Sequence, residues 1–309
     1  MIPEKIRADL VSKIISVLLT LFCTSSVFAS DVSIGATNYE YSTFVDGFRL
    51  DFDAIGVAVG ANLAISDNSF LQAGYSSVSD DQNLMAGNIA EFDSDSWHIG
   101  LAYNINKWQI FGRYSSIEDE IELVHGQQND LFSSAKIDWQ RFDFSGSYSG
   151  EQGLWAYTLT SGLQYDHSDV EGQIPPLGNI QTSETDSWYA NVSVGADYYF
   201  ALTDDSGAYA GISFNWFEQI SSDDSNSVLF NNGMGGMPPP PPRPGGGSGS
   251  GGRGNGGGAN STFGESYGLL GFYLIYTINS HWSLDWNTYL GVKGDENSNS
   301  HALTLSYFF

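Results

Sequence analysis

The strongest constraint in this sequence is alternation. From Trp188 the chain sets Trp188, Ala190, Val192, Val194, Ala196, Tyr198 and Phe200 on one side of an extended backbone, with Tyr189, Asn191, Ser193, Gly195, Asp197 and Tyr199 on the other. Successive side chains of a strand point to opposite faces, so this run predicts one long strand with one apolar face. The same division recurs in Ile55, Val57, Val59, Ala61, Leu63 and Ile65, in Trp155, Tyr157, Leu159, Leu163 and Tyr165, and in Trp282, Leu284, Trp286, Thr288, Leu290 and Val292. After the N-terminal segment no run of about eighteen apolar residues exists, so a helical span of a bilayer is excluded from the rest of the chain.

Turn signals set the architecture, because short and long connections alternate. Short ones are expected at Ser66–Ser69, Asn106–Lys107, Gly150–Gly153, Thr203–Gly207 and Asn279–Ser280, and long ones near 79–96, 119–135, 168–187, 220–266 and 293–300. With a first strand near 31–41 this predicts an all-β, antiparallel up-and-down barrel of about twelve strands, both termini at the short-turn end.

A soluble β-sandwich or lipocalin-like barrel also has strands with one apolar face. The polar face argues against it. A solvated sheet carries Lys, Glu and Arg, whereas here that face is mostly Gly, Ala, Ser, Thr and Asn, and charged residues make up only 15% of the chain. Small polar residues suit the crowded interior of a closed barrel. Trp97, Trp108, Trp155, Trp188, Trp216 and Trp282 fall at or near the expected strand ends, where aromatic girdles meet membrane interfaces.

Residues 1–13 carry Lys5, Arg7 and Lys13, a short apolar stretch runs from Ile14 to Phe22, and Val27-Phe28-Ala29 follows. This predicts a secretory signal peptide over 1–29, cut after Ala29, and export. The sole cysteine, Cys23, lies inside it, so residues 30–309 carry no disulfide, thiolate nucleophile or cysteine metal site. They hold 34 acidic and 8 basic residues, a formal charge of −26, which excludes a nucleic-acid partner.

The final residues, His301-Ala302-Leu303-Thr304-Leu305-Ser306-Tyr307-Phe308-Phe309, put Leu303, Leu305, Tyr307 and Phe309 on one face. This resembles the C-terminal signature of Gram-negative outer-membrane barrels, in which the last strand is the assembly signal read by the barrel insertion machinery. The resemblance implies residence in the cell outer membrane, in contact with its lipid and lipopolysaccharide. Twelve strands in some 280 residues are similar in size to the autotransporter β-domain family. The chain differs from that family in that a strand is expected directly after Ala29, where those domains follow a passenger and a lumen-spanning helix.

Residues 232–258 change composition abruptly: Pro238–Pro242 is expected to be a stiff polyproline segment, and Gly245–Gly258 a flexible coil within an extracellular loop. The reading of this stretch is a tolerated insertion, with a docking element as the alternative. Acidic clusters at Asp80-Asp81, Glu118-Asp119-Glu120 with Glu122, Asp223-Asp224 and Asp295-Glu296 offer divalent cations a site, but none has the spacing of a calcium loop. No cofactor is implied. His98 and His281 are expected on the lumen face and His301 on the lipid face. His281-Ser283-Asp285 has the composition of a triad, yet residues two apart on a strand stand about 7 Å apart, too far for direct hydrogen bonds. His167 beside Asp166 has no matching acid constellation, so the chain is not expected to be an enzyme; a barrel hydrolase is the minority reading.

Two functions remain open. One is a small or partly occluded, cation-preferring passage lined by Arg113, Arg141, Asp143, Asp166, Asp197 and Asp285. The other is a closed structural or adhesin-like barrel acting through its acidic and Pro/Gly-rich loops. Interior volume separates them: small inward residues leave room for the passage, and inward Tyr189, Tyr199, Phe217 and Tyr289 are large enough to close it.

Overall fold

A computed structural model describes residues 30–45, 48–84, 87–125, 130–174, 179–202, 206–225, 267–293 and 299–309. The expected signal peptide and the Pro/Gly-rich stretch 232–258 lie outside these residues. Twelve strands form, β1 (Ser30–Val45), β2 (Phe48–Ser66), β3 (Ser69–Asn83), β4 (Asn88–Ile105), β5 (Trp108–His125), β6 (Asp130–Gln152), β7 (Trp155–Ile174), β8 (Asn179–Ala201), β9 (Gly207–Ser225), β10 (Tyr267–Asn279), β11 (Trp282–Lys293) and β12 (Asn299–Phe308). Each pairs antiparallel with its chain neighbours, and β1 closes the barrel against β12 from Asp31↔Phe308 to Glu40↔Asn299.

Two short turns differ from expectation: β6 and β7 are joined more tightly, at Gly153–Leu154, and the two-residue β10–β11 turn lies one residue later, at Ser280–His281. Asn106 (φ 57°) and Gly153 (φ 64°) take the left-handed conformation that such two-residue hairpins demand. The long connections are a larger correction. Most of 79–96, 119–135 and 168–187 is strand, so that β6 and β8 each run for 23 residues against the 9–11 or so that cross a bilayer. Acidic residues read as loop are therefore ladder residues, and their polarity reflects an exposed sheet face.

Two aromatic belts lie on the outside. At one level Trp97, Tyr114, Phe142, Tyr165 and Trp188 follow one another across β4 to β8, with ring centroids 5.2, 4.7, 6.2 and 5.0 Å apart. At the short-turn end Trp108 meets Tyr148 at 5.1 Å, Trp155 meets Tyr198 at 4.9 Å and Trp282 meets Tyr307 at 4.8 Å. Tyr165 and Trp155 lie ten residues apart on β7, as do Trp188 and Tyr198 on β8. At about 3.3 Å per residue and a tilt near 40° that separates the belts by about 25 Å, the height of an outer-membrane barrel's apolar band. Between them the outer face is apolar and exposed, as at Leu101, Phe144, Leu159, Val192, Val194 and Leu303. Trp97 and Trp188 thus mark an interface from inside long strands, where the sequence suggested strand ends.

Beyond the upper belt the pattern inverts. On β5 the outward apolar residues Trp108, Ile110 and Tyr114 are even-numbered, whereas Ile117, Ile121 and Leu123 are odd-numbered, inward and at most 6% exposed. The same change of phase separates Phe142 and Phe144 from Ile137 and Trp139 on β6. Here the barrel is an ordinary water-facing sheet with an apolar interior; between the belts it is the reverse.

Candidate functional site

All six charged residues expected on the lumen face stand on the inner face, and the register explains their grouping. Arg141 lies directly opposite Asp166, and Arg113 opposite Asp143, on adjacent strands. Arg141 donates from Nε and Nη2 to the two oxygens of Asp166 at 2.8 and 2.9 Å, and Gln164 donates to the same carboxylate at 2.8 Å. Arg113 donates to Asp143 Oδ2 at 3.0 and 2.7 Å. A bidentate guanidinium is the form in which a buried charge is best satisfied. Asp197 and Asp285 are buried nearer the short-turn end, apart from both pairs.

Bulky side chains narrow the lumen at this level. Phe217 stacks on Tyr267 at 4.5 Å and Tyr189 meets Tyr267 edge-on at 5.8 Å. Tyr289 on β11 comes within electrostatic reach of Arg113 on β5, six strands away and so on the opposite wall. Small residues make room for these rings: a Cβ on Gly271 would lie 2.9 Å from the Tyr289 ring, and one on Gly74 would lie 2.4 Å from His98. Tyr189, Phe217 and Tyr289 therefore occupy the interior as expected, while Tyr199 packs lower, against Tyr209 at 4.8 Å.

Above this layer much of the inner face is apolar. Tyr39, Phe52, Val78, Phe92, Ile117, Ile121, Leu123, Ile137, Trp139 and Val170, drawn from β1 to β7, form one apolar cluster with every member at most 7% exposed. Asp119 sits among them with Ser94 as its hydrogen-bond donor. The sequence reading missed this cluster. The signal was present as the switch of apolar residues from even to odd positions within β5.

The outer face of the same segment is acidic. Glu91 pairs with Glu122, Asp93 with Glu120, Asp95 with Glu118, Glu118 with Asp138, Asp138 with Asp169 and Asp169 with Glu184, each directly across a ladder. Like charges so placed destabilise a sheet. Lys136 bridges Glu118 at 3.0 Å and Asp138 at 3.6 Å. Partial burial and then the surrounding carboxylates hold Glu91 and Glu120 above the usual carboxylate range, and burial lifts Asp138 against the pull of Lys136. Among the described residues no group of three or more His, Cys, Asp or Glu is arranged to hold a metal ion. Asp295-Glu296 lies outside the described residues.

The histidines scatter. His98 is inward as expected, but His281 sits in the β10–β11 turn, bonded to Ser280 at 2.8 Å and stacked near the outward Tyr307. The His281-Ser283-Asp285 line is thereby broken, since Ser283 and Asp285 point inward. His301 faces outward, against Thr288 at 3.0 Å. His167 does not meet Asp166; it lies on the outer face between Asp186 at 2.8 Å and Asp169 at 3.4 Å. Its hydrogen bond to Asp186 raises its pKa, and the Tyr165 hydroxyl and His167 lower that of Asp186.

The fold can now be set beside known ones. The translocator domain of the autotransporter NalP from Neisseria meningitidis superposes with a TM-score of 0.55 over 98% of this chain and 95% of that one, at 12% identity. The fold is that of an autotransporter-type outer-membrane barrel. The β domain of the Bordetella autotransporter BrkA gives 0.55 over 92% of this chain and 100% of that one at 9% identity. The transport unit of AIDA-I from Escherichia coli gives 0.50 over 93% and 91% at 10% identity. No family profile and no curated relative matches the sequence. In this barrel the two aromatic belts bound the apolar outer band, with the short turns beyond one belt and the acidic sheet beyond the other.

Proposed function

We propose that this barrel works at the cell surface as a closed interaction module, presenting its acidic projecting sheet and the adjoining loops to an external partner. The observation that carries the reading is the apolar cluster above the upper belt, reinforced by the Arg113, Arg141 and Tyr267 layer beneath it. A water path is favoured by polar walls, and this cluster fills much of the inner face of β1 to β7 with apolar side chains, Asp119 and Ser94 lying among them. The wall above the belt stands on the order of 20 Å high, which carries its rim away from the lipid headgroups. Export by a signal peptide cut after Ala29 belongs to this reading and rests on residues 1–29.

A cation-preferring passage is the second reading, favoured by the inward carboxylates Asp31, Asp197 and Asp285 in the periplasmic half of the lumen. Purified barrel in planar bilayers separates the two. The surface reading expects no stable single-channel steps. Sustained conductance with cation-selective reversal potentials in a salt gradient would overturn it in favour of the passage.

A further inference from the structure

We infer that the apolar outer band carries a seat for one lipid acyl chain, in a groove across β3 to β8 at the upper belt. This goes beyond the surface role and does not depend on it. Two neighbouring rows of outward side chains make the walls of the groove. In one row Leu71, Leu101, Gly112, Phe144 and Leu163 stand directly opposite one another along β3 to β7. In the next, Tyr114, Phe142, Tyr165 and Trp188 do the same along β5 to β8. The space they enclose is about 560 Å³, and Gly100, Arg113 and Asp143, the residues between the two rows, form its floor.

The first wall is breached at Gly112. Its φ is not positive, and the ladders to β4 and β6 run through it without a bulge. A Cβ there would meet nothing closer than the Asp143 carbonyl oxygen, at 3.9 Å. Gly74 and Gly271 are different, because neighbouring rings fill the space they leave. Glycine inside a strand weakens it, and one that serves neither a bulge nor a crowded neighbour marks a place where another molecule approaches.

Position decides the occupant. The groove is continuous with the exposed apolar face at Leu159 and Val192 between the belts, so the molecule that reaches it is hydrocarbon. From Leu71 to Leu163 is four strand spacings, about 19 Å. One leaflet of a hydrocarbon core of about 30 Å gives an acyl chain roughly 15 Å to span, so the groove can take most of one chain. A chain lying between two ridges has protein atoms on both sides, and gains dispersion contacts that a smooth wall withholds.

The test is photo-crosslinking of the refolded full-length barrel in phosphatidylcholine vesicles that contain a phosphatidylcholine with a diazirine midway along one acyl chain. Labelled residues are mapped by mass spectrometry, and heat-modifiability confirms the fold of each variant. Leu101 and Leu303 are outward leucines of similar exposure, 51% and 49%, on distant strands. Leu101 is expected to be labelled about threefold more, the preference that about 0.7 kcal/mol of added contact gives. Gly112→Leu fills the breach and should bring Leu101 down to the level of Leu303. Equal labelling of the two leucines in the unaltered protein, or an excess that survives Gly112→Leu, overturns the inference. So does a dimer in sedimentation that Gly112→Leu abolishes, which would assign the groove to a second copy of the chain. Should Gly112→Leu fail to refold, Phe142→Ala/Phe144→Ala lowers both walls; loss of the Leu101 excess there supports the seat, and its persistence overturns it.

Discussion

Replacing Asp166 by Asn removes the charge that lets Arg141 lie in the interior with 4% of its side chain exposed. A buried guanidinium left without its carboxylate is costly, so Asp166→Asn should lower stability by about 3–5 kcal/mol in urea unfolding of the refolded barrel, with Arg141→Met/Asp166→Leu losing much less. A loss under about 1 kcal/mol in the single variant would mean that water reaches the pair. At Val194, outward and midway between the belts, Arg should cost about 2–4 kcal/mol, whereas Ser193→Arg, inward, should spare the lipid contact and act through crowding against Thr160 and Asn215. Equal behaviour of the two in a bilayer folding assay would contradict the assignment of faces. At this scale alternation alone told inside from outside, which is why Arg113, Arg141, Asp143, Asp166, Asp197 and Asp285 were readable as inward. It did not tell partners: pairing of Arg141 with Asp166 depends on the relative register of β6 and β7, which no single strand encodes.

The strands as elements were legible in number, order and closure, and illegible in length. A bilayer-crossing stretch and a water-exposed stretch of one strand both alternate, and the boundary between them is visible only as a change in which parity is apolar. On β5 that change falls between Tyr114 and Ile117, and it divides one strand between two solvents. The projecting sheet carries a consequence for pH. Glu91, Glu120 and Asp138 have folded pKa values above their ordinary ones, so folding takes up protons, and this sheet loses stability as pH rises through those values. His167, also raised, acts in the same direction: its contribution is full below its unfolded pKa near 6.5 and is lost as pH rises through the folded one. Amide exchange in β4 to β8 above the upper belt should therefore show stronger protection near pH 5 than near pH 8, after correction for intrinsic rates, and added salt should narrow the gap. Stronger protection at the higher pH would contradict it. At the other end of the chain, β12 pairs with both β1 and β11 and places Leu303, Leu305, Tyr307 and Phe309 outward. Deleting Phe309 should reduce assembly. A full yield of heat-modifiable barrel after loss of Leu305, Tyr307 and Phe309 together would show that this face is dispensable.

For the whole molecule, the segment 232–258 has no apolar periodicity, and closing a loop costs little more as it lengthens, so its removal should leave the barrel folded and heat-modifiable. Failure to fold would show that it packs against the barrel. The order of the strands also bears on how the protein reaches its native state. Thr37 donates to the carbonyl of His301, 264 residues away, and that contact belongs to the seam between the first strand and the last. Joining points so distant costs roughly 5 kcal/mol of chain entropy before any seam hydrogen bond is made. Until the last strand has been synthesised β1 has no second neighbour, and its outward Ile34 and inward Ser33 have no fixed environment. Folding must therefore wait for the complete chain, with high contact order and slow kinetics, and the unfolded polypeptide needs protection from aggregation throughout its passage to the membrane.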